Sequence, residues 1–166
     1  MATKKKKPQQ KKSVARARAS KPAARRATKP VPKKAAGSRG LNLNSVMPSL
    51  TVNDIAASLA WYCDVLGFTV GERWERDGKL QGAEIKAGGS SFFLNQDDWK
   101  KGRDRVKGEG FRLHCETTQD VNALAAAIKK RGGTLGSEPK EEWGMRYFNV
   151  EDPSGYKITI ASPWSR

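Results

Sequence analysis

The sequence has few of the residues that hold metals or form disulfides. Its 166 residues include one histidine and two cysteines, Cys63 and Cys115. The cysteines stand far apart in apolar surroundings, which predicts reduced, buried thiols rather than a zinc site or a disulfide. No apolar stretch is long enough for a secretory signal or a membrane span. We therefore expect a soluble, cytoplasmic protein with no membrane partner.

Acidic residues are absent from the first 40 positions. This segment holds 15 of the 32 lysine and arginine residues and none of the 17 acidic ones, so the net charge of +15 belongs to it alone. The rest of the chain is neutral. The segment also lacks aromatic residues and has little to bury, so it cannot offset the entropy cost of ordering. A disordered basic tail and linker is predicted over residues 1–44.

Cation clusters in the tail alternate with alanine and proline, a pattern similar to the tails of linker histones and bacterial histone-like proteins. It predicts non-specific contact with DNA or another polyanion through phosphate groups, and with it association with the nucleoid. Two other interpretations stay open: an unselected solubilising extension, and an organelle transit peptide, which the lysine run and the prolines disfavour. The residues expected to contact phosphate are Lys4, Lys5, Lys6, Lys7, Lys11, Lys12, Arg16, Arg18, Arg25 and Arg26.

Beyond the tail, two stretches of similar length repeat one order of elements. Residues 45–100 predict a strand, a helix capped by Asp54 and ended by Gly67, and three more strands. Residues 110–163 predict the same order and end in a hairpin around the turn 152–155. Sliding the chain by 66 residues aligns Asp54 with Asp120 and Gly67 with Gly133. Each half is therefore a βαβββ module, and the two modules are a tandem repeat.

Two motifs add a family resemblance: SLAWYCDVLGF after the first strand, and WGMRYFNVEDPSGY near the end. Together they resemble the vicinal oxygen chelate superfamily, and within it the glyoxalase and bleomycin-resistance type. Over residues 45–163 the resemblance implies an α+β fold in which the modules form a curved mixed sheet around a concave cleft. It also implies a homodimer. The resemblance does not indicate one activity, because the same fold occurs in isomerases, epimerases, dioxygenases, thiol transferases and metal-free drug-binding proteins.

Metal-dependent members of that superfamily take two ligands from each module, one on its first strand and one on its last. The corresponding positions here are Met47, Phe93, Thr159 and either Leu113 or, if one residue is inserted near 117–118, Arg112. None of these side chains suits a divalent ion. The resemblance therefore implies no metal and no cofactor.

The strand 111–116 favours the register with the insertion. Without the inserted residue, three ionisable side chains of this strand would be buried against the helices. With it, the ionisable side chains face the ligand side, and the buried residues are Phe111, Leu113 and Cys115. His114 then shares a face with Glu116, and is a candidate general base or polar ligand contact. A solvated or structurally hydrogen-bonded histidine is the alternative.

The alternation of side chains along the strands predicts which residues line the concave face. Tryptophans near strand ends are expected to border the cleft and stack on a ligand. For each tryptophan, core or dimer packing is an equally open interpretation. The expected ligand-binding residues are Ser49, Phe93, Asn95, Trp99, His114, Glu116, Trp143, Tyr147, Asn149 and Thr159.

An apolar floor with a few amide and hydroxyl groups is typical of a small-molecule pocket. The predicted function is metal-free binding and sequestration of a small ligand. One alternative is an enzyme, a lyase, isomerase or dioxygenase that uses His114 or a metal site at other positions. Another is an interaction module held on the nucleoid by the tail.

Deleting residues 1–40 should abolish binding to a mixed-sequence DNA duplex. In the full chain, the logarithm of affinity should fall against the logarithm of salt with a slope of about −0.9 per phosphate neutralised. Fluorescence anisotropy at several salt concentrations measures both. Equal binding by the truncated protein would contradict the prediction and assign the contact to the neutral body.

Overall fold

The computed structural model describes Leu41 and residues 43–163. Residues 1–40, which include every predicted phosphate contact, lie outside the described residues, so DNA contact through the tail stays a prediction. Within the described part, no helix is both long and apolar enough to cross a bilayer.

The first module begins with a short strand. Asp54 then caps the helix by accepting a hydrogen bond from the Ala57 amide at 3.0 Å, and Gly67, at φ +82°, follows its end. The predicted single helix changes in its second half to a π-helical turn, in which the Leu66 amide bonds to the Trp61 carbonyl at 3.3 Å. The elements are β1 (Ser49–Val52), α1 (Ile55–Ala60), the π-helical turn (Trp61–Val65), β2 (Thr69–Arg76), β3 (Lys79–Ala87) and β4 (Ser90–Gln96).

The second module repeats the order. Asp120 caps its helix by accepting from the amides of Asn122 at 2.7 Å and Ala123 at 3.1 Å. Its elements are β5 (Arg112–Glu116), α2 (Val121–Lys130), β6 (Leu135–Glu142), β7 (Met145–Glu151) and β8 (Lys157–Pro163).

Each module forms one mixed sheet. The strand orders are β1-β4-β3-β2 and β5-β8-β7-β6, and in both sheets the first strand runs parallel to the last. The predicted α+β fold of two βαβββ modules is confirmed. Among the described residues, the sheets are hydrogen-bonded separately, with no strand pair joining one to the other.

Strand pairing settles the register of β5. Phe93 on β4 lies opposite Ser49, whereas Thr159 on β8 lies opposite His114. Equivalent residues of the two modules are thus 66 positions apart on the last strands and 65 positions apart on the first strands. The difference of one is the inserted residue that the sequence favoured. Leu113 is buried, and His114 faces the other way and is exposed.

Two predictions about strand ends are wrong. Phe111 was expected in the core but is 44% exposed. It precedes β5, and its ring packs edge-on against Tyr156 with centroids 6.2 Å apart. The first module was expected to open on a strand soon after residue 45, yet Val46 is 79% exposed and β1 begins only at Ser49. Pro48, which has no amide to donate, precedes β1 and contributes its carbonyl to the Phe93 amide.

The cysteines are free and partly buried. Burial raises the pKa of both Cys63 and Cys115. Each is therefore less reactive than an exposed thiol at neutral pH.

The two modules meet at a buried hydrogen bond. Tyr62, which is fully buried, donates to Asp152 Oδ2 at 3.1 Å. The other carboxylate oxygen accepts from the amides of Ser154 at 2.9 Å and Tyr156 at 2.8 Å, which closes the predicted turn. Burial raises the pKa of Tyr62 far above its usual range, and burial also raises the pKa of Asp152.

The same turn covers the free edge of β1. Ser154 Oγ accepts from the Asn53 amide at 2.9 Å, and the Tyr156 hydroxyl donates to the Thr51 carbonyl at 3.1 Å. Buried apolar residues from both modules form one continuous core cluster. Relative placement of the two sheets therefore depends on this turn and on the shared core.

Replacing Tyr62 with phenylalanine should lower the free energy of unfolding by about 1–2 kcal/mol, because Asp152 Oδ2 would stay buried without its donor. Urea unfolding monitored by circular dichroism measures the change. The control is Tyr147→Phe, which deletes a hydroxyl bound to Glu142 at a distance from the module junction. Equal losses of unfolding free energy in the two variants would show that the hydrogen bond between Tyr62 and Asp152 contributes no more to stability than the one between Tyr147 and Glu142.

Candidate functional site

An aromatic pair lies on the face of the first sheet that was expected to meet a ligand. The rings of Trp74 and Phe93 meet edge to face with centroids 5.6 Å apart. Trp74 pairs with Gly82 on β3, where a Cβ atom would lie 3.0 Å from the indole. The glycine therefore lets the indole lie close against the sheet. Beside the pair, Asn95 Nδ2 donates to Ser49 Oγ at 2.8 Å.

The corresponding face of the second sheet carries a polar network. Arg112 Nη1 donates to Asn149 Oδ1 at 3.0 Å and to Thr159 Oγ1 at 3.3 Å. The Thr159 hydroxyl donates to the same Asn149 oxygen at 2.7 Å, and Asn149 Nδ2 donates to Ser137 Oγ at 3.0 Å. Four side chains from four strands are thus held in one arrangement.

Another aromatic pair lies farther along this face. The rings of Trp143 and Tyr147 are parallel within 5°, with centroids 6.4 Å apart, and Trp143 is 81% exposed. The Tyr147 hydroxyl donates to Glu142, and the Lys140 ammonium lies 3.0 Å from the same carboxylate and 5.2 Å from the tyrosine ring. The hydrogen bond from Tyr147 and the contact with Lys140 lower the pKa of Glu142.

In the part of the chain that the structure describes, His114 has no close partner that would prepare it for catalysis. Its Nε2 lies 3.8 Å from Glu116 Oε1, beyond hydrogen-bond distance, and the imidazole is 44% exposed. Within the described residues, no group of three or more His, Cys, Asp or Glu side chains could hold a metal ion. The structure gives His114 no orienting hydrogen bond among those residues, which leaves its predicted general-base role without geometric support.

Trp99 lies on neither sheet face. It belongs to the linker between the modules, where its ring packs against the cations of Arg103 at 4.8 Å and Lys107 at 4.9 Å. Buried Asp97 accepts from the Trp99 amide at 2.9 Å and pairs with Arg105 and Lys107, each at 2.6 Å. The close contact with the Lys107 ammonium is the main reason that the pKa of Asp97 lies well below its usual range.

A cavity of about 1020 Å³ opens where the modules meet. Its walls are mostly apolar and include Phe68, Phe92 and Ile128, and of the ten predicted ligand-binding residues only His114 and Glu116 line it. The other predicted residues lie on the two sheet faces or, for Trp99, in the linker. Sequence reasoning counted Trp74 among the tryptophans that could stack on a ligand, but it did not consider Arg112 as a ligand contact; the signal for Arg112 is its alternation with Leu113.

Comparison with known proteins identifies the family. The model of the Glyoxalase/Bleomycin resistance protein/Dioxygenase superfamily matches residues 42–160, so the chain belongs to that superfamily. None of the curated proteins compared with the chain matches it.

Solved structures agree in fold. A glyoxalase/bleomycin resistance protein/dioxygenase from Nocardioides has a TM-score of 0.61 at 16% identity, covering 76% of this chain and 88% of its own. A domain of the same description from Frankia sp. EAN1pec has a TM-score of 0.60 at 21% identity, covering 75% and 95%. TnmS3, an antibiotic binding protein from Streptomyces sp. CB03234, has a TM-score of 0.59 at 22% identity, covering 75% and 100%.

The four positions that the family resemblance assigns to metal ligands carry side chains that do not fit a divalent ion. With the register fixed, they are Met47, Phe93, Arg112 and Thr159. A guanidinium repels a cation, and a phenyl ring supplies no lone pair. A thioether and a hydroxyl alone do not make a site.

Asp97→Asn should destabilise the protein at neutral pH, because buried Lys107 would lose its counter-charge. A carboxylate with a depressed pKa contributes stability above its unfolded pKa and loses that contribution as the pH falls through its folded pKa. The gap between wild type and variant should therefore narrow as the pH falls from about 4 toward 2. Thermal unfolding across this range measures the gap, and a gap independent of pH would contradict the ion-pair explanation.

Proposed function

We propose that this protein binds a small organic molecule on the exposed faces of its two sheets and sequesters it unchanged, without a metal ion. The observation that carries the proposal is the same on both faces. Each places aromatic surface beside fixed hydrogen-bonding groups: Trp74 and Phe93 beside Asn95 on one, and Tyr147 beside Asn149 on the other. Apolar contact with a few oriented polar groups is the usual character of a small-molecule site.

Catalysis needs more than such a surface. A general base must be held within hydrogen-bond reach of its partner, and a metal must have its ligands. His114, the candidate base, is 3.8 Å from Glu116, and the positions available for a metal carry unsuitable side chains. The antibiotic-binding description of TnmS3, a protein with the same fold, supports a binding role in preference to the enzyme alternative.

The proposal includes two further elements that rest on the sequence. One is homodimerisation, which the family resemblance implies. The other is weak attachment to DNA through the basic tail, whose 15 cations have no acidic counterpart within the first 40 residues. Both are independent of the ligand and have separate tests.

Two measurements test the binding role. Protein purified without chelator should contain less than stoichiometric Zn, Ni, Fe or Mn. A thermal-shift screen of aromatic antibiotics and aromatic acids should identify compounds that raise the melting temperature to the same extent with and without EDTA.

Phe93→Ala should weaken binding of such a compound by about tenfold, because the aromatic contact is lost. The control is Lys130→Met, which changes an exposed residue on α2 rather than on a sheet face. Near-stoichiometric metal, or conversion of the compound detected by mass spectrometry, would contradict the proposal.

A further inference from the structure

Arg112 has an unusual position for an exposed arginine. It leaves β5, crosses β8 and reaches Asn149 on β7, so its guanidinium lies over the middle of the sheet. Neighbouring strands are about 4.8 Å apart, so the side chain spans roughly two strand spacings. It is therefore extended along the face rather than projecting freely into solvent.

The group that receives Arg112 is itself held in place. Ser137 Oγ accepts from both the side-chain amide and the backbone amide of Asn149, at 3.0 and 3.1 Å. This directs the Asn149 oxygen toward Arg112. Thr159, which is 7% exposed, donates to the same oxygen and accepts from Arg112. The guanidinium is thus oriented by buried or half-buried partners on two strands.

Among the described residues, only one nitrogen of this guanidinium makes hydrogen bonds. Both hydrogen bonds come from Nη1. Within residues 43–163, no carboxylate lies within 4.0 Å of Arg112, whereas Arg105 and Arg146 each pair with an acid. The Nε and Nη2 edge is left without a protein partner among these residues. Two parallel N–H groups on one edge match the two oxygens of a carboxylate.

Neighbouring charges on this face leave Arg112 uncompensated. Lys157 is its partner on β8, and the acid on that side, Glu151, lies opposite Lys157 rather than Arg112. On the other side, Glu116 lies beside His114. Of these two acids, Glu151 has the ammonium of Lys157 beside it, and Glu116 has the imidazole of His114.

Aromatic surface begins two residues away along β7. Tyr147 shares the face of Asn149, about 7 Å farther along the strand, and Trp143 stacks parallel to it. A molecule with its acid group at Arg112 would place its body against these rings. Resting on the proposed function, we propose that the sequestered ligand is an aromatic carboxylate whose carboxylate binds the free edge of the Arg112 guanidinium.

The test compares two probes of equal shape, naphthalene-2-carboxylate and naphthalene-2-carboxamide, by isothermal titration calorimetry on the full chain. Wild type should bind the carboxylate about tenfold more tightly than the amide, as expected for a charge-assisted hydrogen bond. Arg112→Met should remove that preference and leave amide binding within about twofold. Arg112→Lys, which keeps the charge and loses the fork, should be intermediate.

The basic tail makes a matched control necessary, because 15 cations attract any anion. Lys130→Met makes the same change of charge on α2 and should keep the full preference. A preference retained by Arg112→Met would assign it to the tail or another site and overturn the inference. Failure of the wild-type protein to bind either probe would also overturn the inference.

Equal binding of acid and amide by wild type would overturn the anion inference while leaving small-molecule binding intact. Conversion of a probe, or binding that requires metal, would instead contradict the proposed function. If Arg112→Met proves unfolded by circular dichroism, the wild-type comparison and Arg112→Lys still decide the question.

Discussion

The hydrogen bond between Tyr62 and Asp152 links the two halves of this protein. The carboxylate that accepts it also closes the turn before β8, and this turn covers the free edge of β1 through Ser154 and Tyr156. Within the described residues, no strand pair joins the two sheets. Their relative position, and with it the arrangement of the faces proposed to bind a ligand, depends on this buried polar contact and the core around it. A buried acid that keeps its donors fixes geometry more narrowly than apolar packing alone.

Much of the fold could be predicted because the repeat places caps and turns at equivalent positions. Asp54 and Asp120 cap equivalent helices, and the turn 152–155 joins β7 and β8 as expected. The register of β5 followed from the cost of burying charge. Alternation alone does not mark where a strand begins, so it extended the core to Phe111, one residue before the first pairing of β5 with β8.

The candidate site was less accessible to sequence reasoning. Alternation predicts which residues share a face, but it does not predict how far a long side chain reaches across it. Arg112 bonds to Asn149 two strands away, and Trp74 lies close to the sheet only because Gly82 faces it. Trp99 was expected to wall the cleft; the structure places it in the linker, where its amide donates to buried Asp97, and its ligand contact stays a prediction. These arrangements depend on tertiary contacts that no short pattern contains.

Charge has two different roles in the two parts of this chain. The tail carries a large net charge, and attraction of that kind is long-ranged and barely distinguishes one anion from another. The body is neutral as a sequence, so its electrostatics are local. In the proposed site, the guanidinium of Arg112 has an edge with no partner among the described residues, and such an edge distinguishes anions by shape, because a planar carboxylate meets both donors and a spherical ion does not. Selectivity for the proposed ligand would therefore depend on the few hydrogen bonds that hold this guanidinium flat on the sheet, rather than on the charge of the molecule.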